Sequence, residues 1–194
     1  MAEAPVKSSG KRERVLDAAR ELFLAHGLRG TSMEAIARQA GVAKPTLYAH
    51  FPDKDAVFLA ILEALLTEKL AVFERVMDGD QPVAERIGAA LAAEFAVVVG
   101  AIEGSPHREE LFGEHRRAAA LMAQSDAQVS ARIEAELARA GVAEPGRLVN
   151  LLLAAAFGLV QRGGGSAQLA ADIALLAQRL IAPALPTAAA GQAS

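Results

Sequence analysis

The stretch TSMEAIARQAGVAKPTLYAHF, residues 31–51, decides the fold of this 194-residue chain. Apolar residues recur at helical spacing on both sides of Gly41, which predicts two short helices over residues 33–40 and 44–51. Ser32 is a preferred N-cap residue, and Gly41 tolerates the positive φ of a sharp turn. Pro45 suits the first turn of a helix. Two short helices joined by a glycine turn indicate a helix-turn-helix.

The second helix of this pair is predicted to bury Leu47 and Phe51, which lie four residues apart and share a face. The opposite face then carries Pro45, Thr46 and Ala49, flanked by Tyr48 and His50. A helix braced in this way can enter the major groove of DNA, where Lys44 reaches a base edge or a phosphate. Lys54 begins the next helix, where its charge and the free amides favour an anion. The alternative is an ordinary helical bundle with a solvated face.

Composition points to an all-α protein. The hydrophobic fraction of 53% comes mainly from Ala and Leu, aromatic residues make up 4%, and Trp is absent. Helix formers at this density, with few aromatic and β-branched residues, favour helices. The absence of Cys excludes a disulfide framework, a thiolate metal site and a cysteine nucleophile.

No segment is predicted to direct the chain to a membrane. The longest apolar run covers residues 151–160, and a helix that spans a bilayer needs about 20 residues. The N-terminal residues are polar and lack the apolar stretch of a signal peptide. We therefore expect a soluble cytoplasmic protein without a membrane partner.

Charge is distributed unevenly along the chain. Residues 1–54 carry nine Lys and Arg and six acidic residues, a net charge of +3, whereas residues 55–194 carry a net charge of −6. Residues 1–54, called the head below, are thus basic, which suggests an anionic partner. The alternative is a chance distribution of the charges, since the difference is small.

Helical periodicity continues along the rest of the chain, which predicts about nine helices. A first helix from Lys11 to Ala25 ends at His26–Gly27, and the later helices are predicted over residues 53–77, 83–102, 107–122, 126–140, 147–162 and 167–182. This gives a flexible arm (residues 1–10), a helix-turn-helix DNA-binding domain (11–52), an effector-binding and dimerisation domain (53–185, in which 53–77 is the connecting helix) and a disordered tail (186–194). Gly163–Ser166 is predicted to be a flexible hinge.

The head resembles the N-terminal domain of TetR-family bacterial transcriptional regulators. The resemblance covers about residues 11–58 and rests on residues 31–37, 40–42 and 44–51 together with Lys54, and on Ala18-Ala19, Leu22-Phe23 and Gly27 in the first helix. It implies an all-α homodimer that binds a near-palindromic double-stranded DNA operator. Members of this family are usually repressors, so the resemblance also implies a repressor. A small-molecule effector would release it from DNA by moving the connecting helix.

The resemblance also assigns residues on the head. It places phosphate contacts at Ser32, Tyr48, His50 and Lys54, and base contacts near Lys44, Pro45 and Thr46. The chain departs from the family pattern at three positions. Ala43 replaces a capping Ser or Thr, Ala49 leaves room only for contact with a thymine methyl, and Pro52 replaces a polar or basic residue. The basic residues Lys7, Lys11, Arg12 and Arg14 either contact DNA or form a solvated arm.

The last two long helices are predicted to form the dimer interface, because they are apolar on more than one face and resembling proteins pair these helices. The interface residues predicted from this pattern are Leu152, Gly158, Leu159, Leu169, Ile173, Leu176 and Leu180. Two heads related by this interface would read half-sites about 34 Å apart or a multiple of that distance.

The effector pocket is predicted among the helices of residues 83–162. Its candidate wall residues are Phe95, Val99, Phe112, Leu121, Met122, Leu153 and Phe157. An apolar wall favours a hydrophobic effector, although each residue also fits a plain core. His107, Glu110, Glu114 and His115 share one side of a helix, and a solvated charged face explains them better than a metal site. We expect no metal and no cofactor.

Three alternatives to a ligand-released repressor remain at this point. An enzyme is not expected, because the chain shows neither a glycine-rich phosphate loop between a strand and a helix nor a set of His, carboxylate and nucleophile. A helical module that binds another protein would not bind an operator. A ligand-independent regulator or an activator would bind DNA but would not be released by an effector.

Overall fold

The computed structural model describes residues 6–113, 118–162 and 166–186, and these residues form helices and no strand. Within these ranges, nine α-helices follow in chain order, with a short 3-10 turn over Ala182–Ala184 after the last. They are α1 (Val6–Gly30), α2 (Met33–Ala40), α3 (Lys44–His50), α4 (Lys54–Met77), α5 (Val83–Ile102), α6 (Arg108–Gly113), α7 (Ala119–Arg139), α8 (Pro145–Arg162) and α9 (Ser166–Ile181). The all-α prediction is confirmed. In these described ranges, no helix combines the length and the apolar character that crossing a membrane requires.

Helix α1 begins earlier and ends later than its apolar stripe predicts. Residues 6–10, predicted to belong to a flexible arm, continue the helix, because extending a helix is far less costly than starting one. The predicted end at Gly27 is confirmed as a break in the helical backbone, with φ 72° and ψ 170°. A last turn follows to Gly30, and the Thr31 hydroxyl donates a hydrogen bond of 2.8 Å to the Gly27 carbonyl.

The described chain forms two compact units, which differ from the predicted domains. Unit 1 comprises the described residues of Met1–Leu66 and Ile102–Met122, and unit 2 those of Thr67–Ala101 and Ala123–Ser194. The predicted boundary between residues 52 and 53 therefore does not coincide with the division of the structure. Helix α4 contributes residues to both units, because its apolar stripe continues across the boundary.

Unit 1 has one main core, formed by α1, α2, α3 and the first half of α4. Its fully buried side chains include Val15, Ile36, Leu47 and Val57. Phe23 contacts Phe58 edge to face, with ring centroids 6.1 Å apart. These helices bury one apolar stripe each and leave the other side in solvent, as amphipathic helices do.

Helix α6 joins this core, although residues 107–122 were predicted to be part of the effector domain. Leu111 is buried in the cluster of α1 to α4, the Ser105 hydroxyl donates to the Leu24 carbonyl at 2.7 Å, and Glu110 accepts from the Arg29 amide at 2.8 Å. The predicted break between helices 107–122 and 126–140 is also wrong, because the structure has α6 over Arg108–Gly113 and α7 over Ala119–Arg139. Helix α7 runs through Ser125, because residues 119–139 contain neither Gly nor Pro.

Unit 2 is built from the second half of α4, most of α5 and α7, and all of α8 and α9. Its largest fully buried side chains include Phe73, Ile87, Leu91, Ile133, Leu137, Leu152 and Ile173. Gly88 allows α5 to approach α9 closely, since a Cβ atom at this position would lie 3.0 Å from the Ala177 Cβ and 3.2 Å from the Ala174 Cα. The missing side chain at Gly88 therefore lets the two helices pack against each other inside unit 2.

Candidate nucleic-acid interface

The outer face of α3 is exposed as the sequence predicts. Leu47 is fully buried and Phe51 is 4% exposed, so the helix is anchored to the core of unit 1 by these two side chains. Tyr48 is 47% exposed, and Ala49 is exposed beside it. Lys44 and Pro45 are exposed as well, whereas Thr46 and His50 are half-buried. The helix thus presents both polar side chains, Lys44 and Tyr48, and small apolar ones, Pro45 and Ala49, to solvent.

Local hydrogen bonds fix the angle between α2 and α3. The Ser32 hydroxyl caps α2 by accepting from the Ala35 amide at 3.1 Å. Gly41 adopts the left-handed conformation, φ 63° and ψ 38°, and ends α2, and the Val42 amide then donates to the Ala37 carbonyl at 3.0 Å. Gly41 thus closes the C-terminus of α2 in a left-handed conformation, which only a residue without a Cβ adopts at little cost.

The two lysines assigned to DNA contacts already have partners within unit 1. Lys44 Nζ lies 3.1 Å from Glu34 Oε1, and both side chains are more than half exposed. The hydrogen bond from the backbone at the start of α2, followed by the Lys44 ammonium, holds the pKa of Glu34 below its ordinary value. Lys54 is half-buried and donates to the Thr31 carbonyl at 2.9 Å, so it ties α4 to the turn before α2.

Arg12 contributes to the same surface, and sequence reasoning had left its role open. Its guanidinium carbon lies 5.4 Å from the centre of the Phe51 ring, within the range of a cation–π contact. Lys11, Arg12 and Arg14 are helical and exposed on α1. The side chain of Lys7 lies outside the described residues. The contact places a positive charge next to the end of α3.

The N-terminus of α3 lacks a side-chain cap, as predicted from Ala43. This residue has an extended backbone and makes no capping hydrogen bond. We expect Ala43→Ser to raise the free energy of unfolding by about 1 kcal/mol, because a Ser at this position satisfies a free amide of the helix. Urea denaturation followed by circular dichroism measures the change, with Ala43→Val as the non-capping control. Equal stability of the Ser and Val variants would contradict this expectation.

The predicted dimer residues need correction, because part of the set forms the core of unit 2. Leu152 and Ile173 are fully buried and Leu169 is 8% exposed, whereas Leu159, Leu176 and Leu180 are half-buried and Gly158 is exposed. The exposed large apolar side chains of α8 and α9 are instead Leu151, Phe157 and Leu175. Neighbouring helix residues point about 100° apart, so Leu152, Leu169 and Ile173 face the core of unit 2, and the other four residues stay a prediction.

The predicted wall of the effector pocket is divided between the units. Val99 is buried, and Phe95 and Leu153 are half-buried in unit 2, but Phe157 is 53% exposed and does not line the interior. Leu121 and Met122 pack against Leu62, Leu66 and Ala118 in unit 1. The side chain of Phe112 lies outside the described residues. This wall therefore stays a prediction.

The possible metal ligands of residues 107–115 are only partly described. His107 Nδ1 lies 3.7 Å from Glu110 Oε2, while Glu114 and His115 lie outside the described residues. Within the described part of the chain, no three His or carboxylate side chains gather in an arrangement that could hold a metal ion.

Together, the anchored helix α3, its exposed outer face and the glycine turn after α2 define a helix-turn-helix protein. Residues 15–61 match the model of the bacterial regulatory proteins of the tetR family, and the fold and motifs of unit 1 agree with that match. Over these residues, the chain is similar to the tetR-family regulatory proteins.

Individual proteins are similar to the chain in sequence or in fold. The HTH-type transcriptional regulator RutR of Escherichia coli (strain K12) is 36% identical over 92 residues, which cover 43% of each chain. The chain thus spans less than half the length of this curated relative. SmeT, the repressor of the Stenotrophomonas maltophilia multidrug efflux pump SmeDEF, has a similar fold, with a TM-score of 0.65 at 23% identity over 94% of both chains. The SmeT–triclosan complex gives the same TM-score over 92% and 93% of the two chains.

Proposed function

We propose that the chain is a transcriptional regulator that binds double-stranded DNA through the outer face of α3. The observation that carries this proposal is the division of α3 into a buried side, Leu47 and Phe51, and an exposed side with Tyr48 and Ala49. A short helix anchored in this way fits a major groove. The family match of residues 15–61 supports the same reading.

The cations around α3 are proposed to bind phosphates. Lys44 reaches them by leaving Glu34, a step of low cost because exposed ion pairs contribute little to stability. Tyr48, His50 and the Ser32 hydroxyl can donate to phosphate oxygens. Lys54 is proposed to act mainly by holding the turn before α2, since its ammonium group already binds the Thr31 carbonyl. Pro45, Thr46 and Ala49 remain the candidates for base contacts.

The proposed DNA contacts are tested with duplexes selected by the protein from a random pool. Fluorescence anisotropy is measured over a range of salt concentrations, and we expect log affinity to fall by about 0.9 per phosphate contact for each log unit of salt. Lys44→Ala should weaken binding and reduce this slope by about 1. Arg75→Ala, an exposed cation in unit 2, serves as the control. Unchanged affinity in both Lys44→Ala and Tyr48→Ala would refute the assignment.

We also propose that the chain is a homodimer, joined by the exposed faces of α8 and α9. Three of the four large apolar side chains that are exposed in the described part of the chain lie there, namely Leu151, Phe157 and Leu175. Gly158 is exposed beside them, and a Cβ atom at this position would meet nothing within 4 Å in the protomer. A second helix can therefore approach closely at this point.

Phe157→Glu is expected to convert the dimer into a monomer, because a carboxylate would be buried without a partner at the interface. Sedimentation equilibrium measures the change, and far-UV circular dichroism checks that the variant stays folded. Gln128→Glu, on the exposed side of α7, is the control. A dimer that persists in Phe157→Glu would place the interface elsewhere.

Release of DNA by a small-molecule effector completes the proposal. SmeT, which shares the fold, forms a complex with triclosan. Helix α4 contributes residues to both units, so a ligand that moves its residues in unit 2 would also act on the head. An effector shifts the DNA equilibrium only as far as its affinities for the two states differ.

A further inference from the structure

A group of charged and polar side chains lies inside unit 2, where apolar residues are the rule. We call Lys69, Glu94, Ser125 and Asp126 the Glu94 cluster; they come from α4, α5 and α7. Lys69 is 4% exposed, Glu94 is 1% exposed and Ser125 is 7% exposed. Lys and Glu are rarely buried to this extent unless each has a partner.

The ammonium group of Lys69 is satisfied mainly by Asp126. Lys69 Nζ lies 3.1 Å from Asp126 Oδ1, a hydrogen-bonded ion pair, and 3.9 Å from Glu94 Oε2. The longer distance exceeds that of a hydrogen bond. Lys69 therefore donates its hydrogen bond to Asp126, the more exposed of the two carboxylates. The buried Glu94 Oε2 interacts with the Lys69 ammonium only through electrostatic attraction.

Two buried oxygen atoms of the cluster make no hydrogen bond among the described residues. They are Glu94 Oε2 and the hydroxyl oxygen of Ser125. Leaving a buried polar group unpaired is costly, and more so for a charged one. Two such groups on two helices, beside one buried ammonium, indicate a place where a ligand supplies the donors.

The charges of the cluster indicate which ligand fits. One ammonium and two carboxylates give a net charge of −1 when Glu94 is ionised, so a single positive charge balances the cluster. Val97 and Val98 are half-buried three and four residues after Glu94 on α5, which places apolar side chains on the same side of the helix. The site thus combines a carboxylate oxygen that lacks a hydrogen bond with an apolar surface.

We propose that the Glu94 cluster binds an organic amine, whose ammonium group donates to Glu94 and whose apolar part packs against the valines of α5. The inference rests on the proposed function, because it names the chemical class of the effector. It adds a positively charged group to the hydrophobic effector that the apolar residues of the sequence predict. A buried carboxylate does not complement a purely apolar molecule.

Binding is expected to depend on pH in a defined direction. Burial raises the pKa of Glu94 to about 7, whereas the nearby Lys69 lowers it and Asp126 raises it. The carboxyl group is therefore neutral in moderately acidic solution and ionised in mildly alkaline solution. Because an ammonium group prefers the ionised form, amine affinity should increase from about pH 6 to about pH 8.

The test uses three primary amines of increasing bulk, benzylamine, 2-phenylethylamine and 1-adamantylamine, each beside the alcohol of the same shape. Thermal unfolding and calorimetric titration of the full chain are carried out at about pH 8. We expect at least one amine to raise the melting temperature in proportion to the logarithm of its concentration. The matching alcohol should bind at least about tenfold more weakly than the amine, and a tenfold difference corresponds to about 1.4 kcal/mol.

Glu94→Gln removes the charge of the carboxylate while it keeps nearly the same side-chain shape, so it tests the contribution of the charge alone. This variant should lose the preference for amine over alcohol while its own melting temperature at about pH 8 stays at or above that of the wild type. Glu85→Gln, an exposed glutamate on the same helix, should retain the preference. No response to any amine, an equal response to amine and alcohol, or an unchanged preference in Glu94→Gln would overturn the inference.

DNA binding in the absence of amine is measured on the same samples. The cluster lies in unit 2 and the DNA contacts are proposed in unit 1, so Glu94→Gln should bind the selected duplex as the wild type does. Failure of the amine response with intact DNA binding refutes the effector class alone. Failure of the wild type to bind DNA refutes the proposed function instead.

Discussion

Glu136→Gln is expected to lower the free energy of unfolding by about 3 kcal/mol, because it removes the only carboxylate that joins three arginines within the described part of unit 2. Glu136 lies on α7 and is 9% exposed. It pairs with Arg86 of α5 and with Arg139, and it accepts from Arg132 Nη1 at 3.0 Å. Arg86 keeps only 14% of its side chain exposed, so its charge would lose a partner that water cannot fully replace.

The effect of this substitution should depend on pH. Burial raises the pKa of Glu136, but hydrogen bonds from Arg132 and Arg139 and the attraction of Arg86 outweigh burial and hold the pKa below its ordinary value of 4.5. The unfolded chain therefore takes up a proton before the folded one. The stabilisation is present above about pH 4.5 and is lost as the pH falls through the lower folded pKa.

Urea denaturation at neutral and acidic pH measures both effects. The wild type and Glu136→Gln should differ most at neutral pH and converge on acidification. Arg147→Gln is the matched control, because Arg147 and its partner Glu144 are each about three-quarters exposed and exposed pairs contribute about 0–1 kcal/mol. A difference of less than about 1 kcal/mol for Glu136→Gln would show that the arginines are stabilised by solvent instead.

Gly27→Ala is expected to destabilise unit 1 by about 3 kcal/mol. The φ of 72° and ψ of 170° at Gly27 belong to a region that residues with a Cβ adopt at a cost of about 1–3 kcal/mol. The new Cβ would also overlap with Glu110 Oε2 and displace the carboxylate that accepts from the Arg29 amide. Losing that hydrogen bond adds about 1 kcal/mol.

Gly100→Ala is the control for Gly27→Ala. Gly100 is an exposed residue of α5, and a Cβ atom there would meet nothing within 4 Å. Alanine should stabilise this helix by about 0.5–1 kcal/mol. Circular dichroism during urea denaturation measures both variants. Equal stability of Gly27→Ala and the wild type would show that the turn between α1 and α2 relaxes without cost.

Local sequence signals were sufficient for the helices of the head. Gly27, Ser32 and Gly41 each end or begin a helix through their own backbone or side-chain chemistry, and Leu47 with Phe51 fixes the buried side of α3. The contacts of Lys44 with Glu34 and of Arg12 with Phe51 were not predicted, because residues ten and 39 positions apart meet only through the packing of the helices.

The helices after α4 show where sequence periodicity is insufficient. Leu151 and Leu152 are adjacent leucines, yet one is 55% exposed and the other is fully buried. Composition cannot separate the core stripe from the exposed stripe when both are apolar. The buried Lys69 and Glu94 were missed for a related reason, because a charged residue in a helix is normally expected to face water.

The most direct test of the account is the affinity of Ala49→Glu for a duplex selected by the wild type. Ala49 lies on the exposed face of α3, where a carboxylate would face the phosphates and cost several kcal/mol. We expect affinity to fall by about 100-fold or more, near 2.8 kcal/mol, while Ala120→Glu, exposed on α7 of the same unit, binds as the wild type does. Wild-type affinity in a folded Ala49→Glu would show that α3 does not contact DNA.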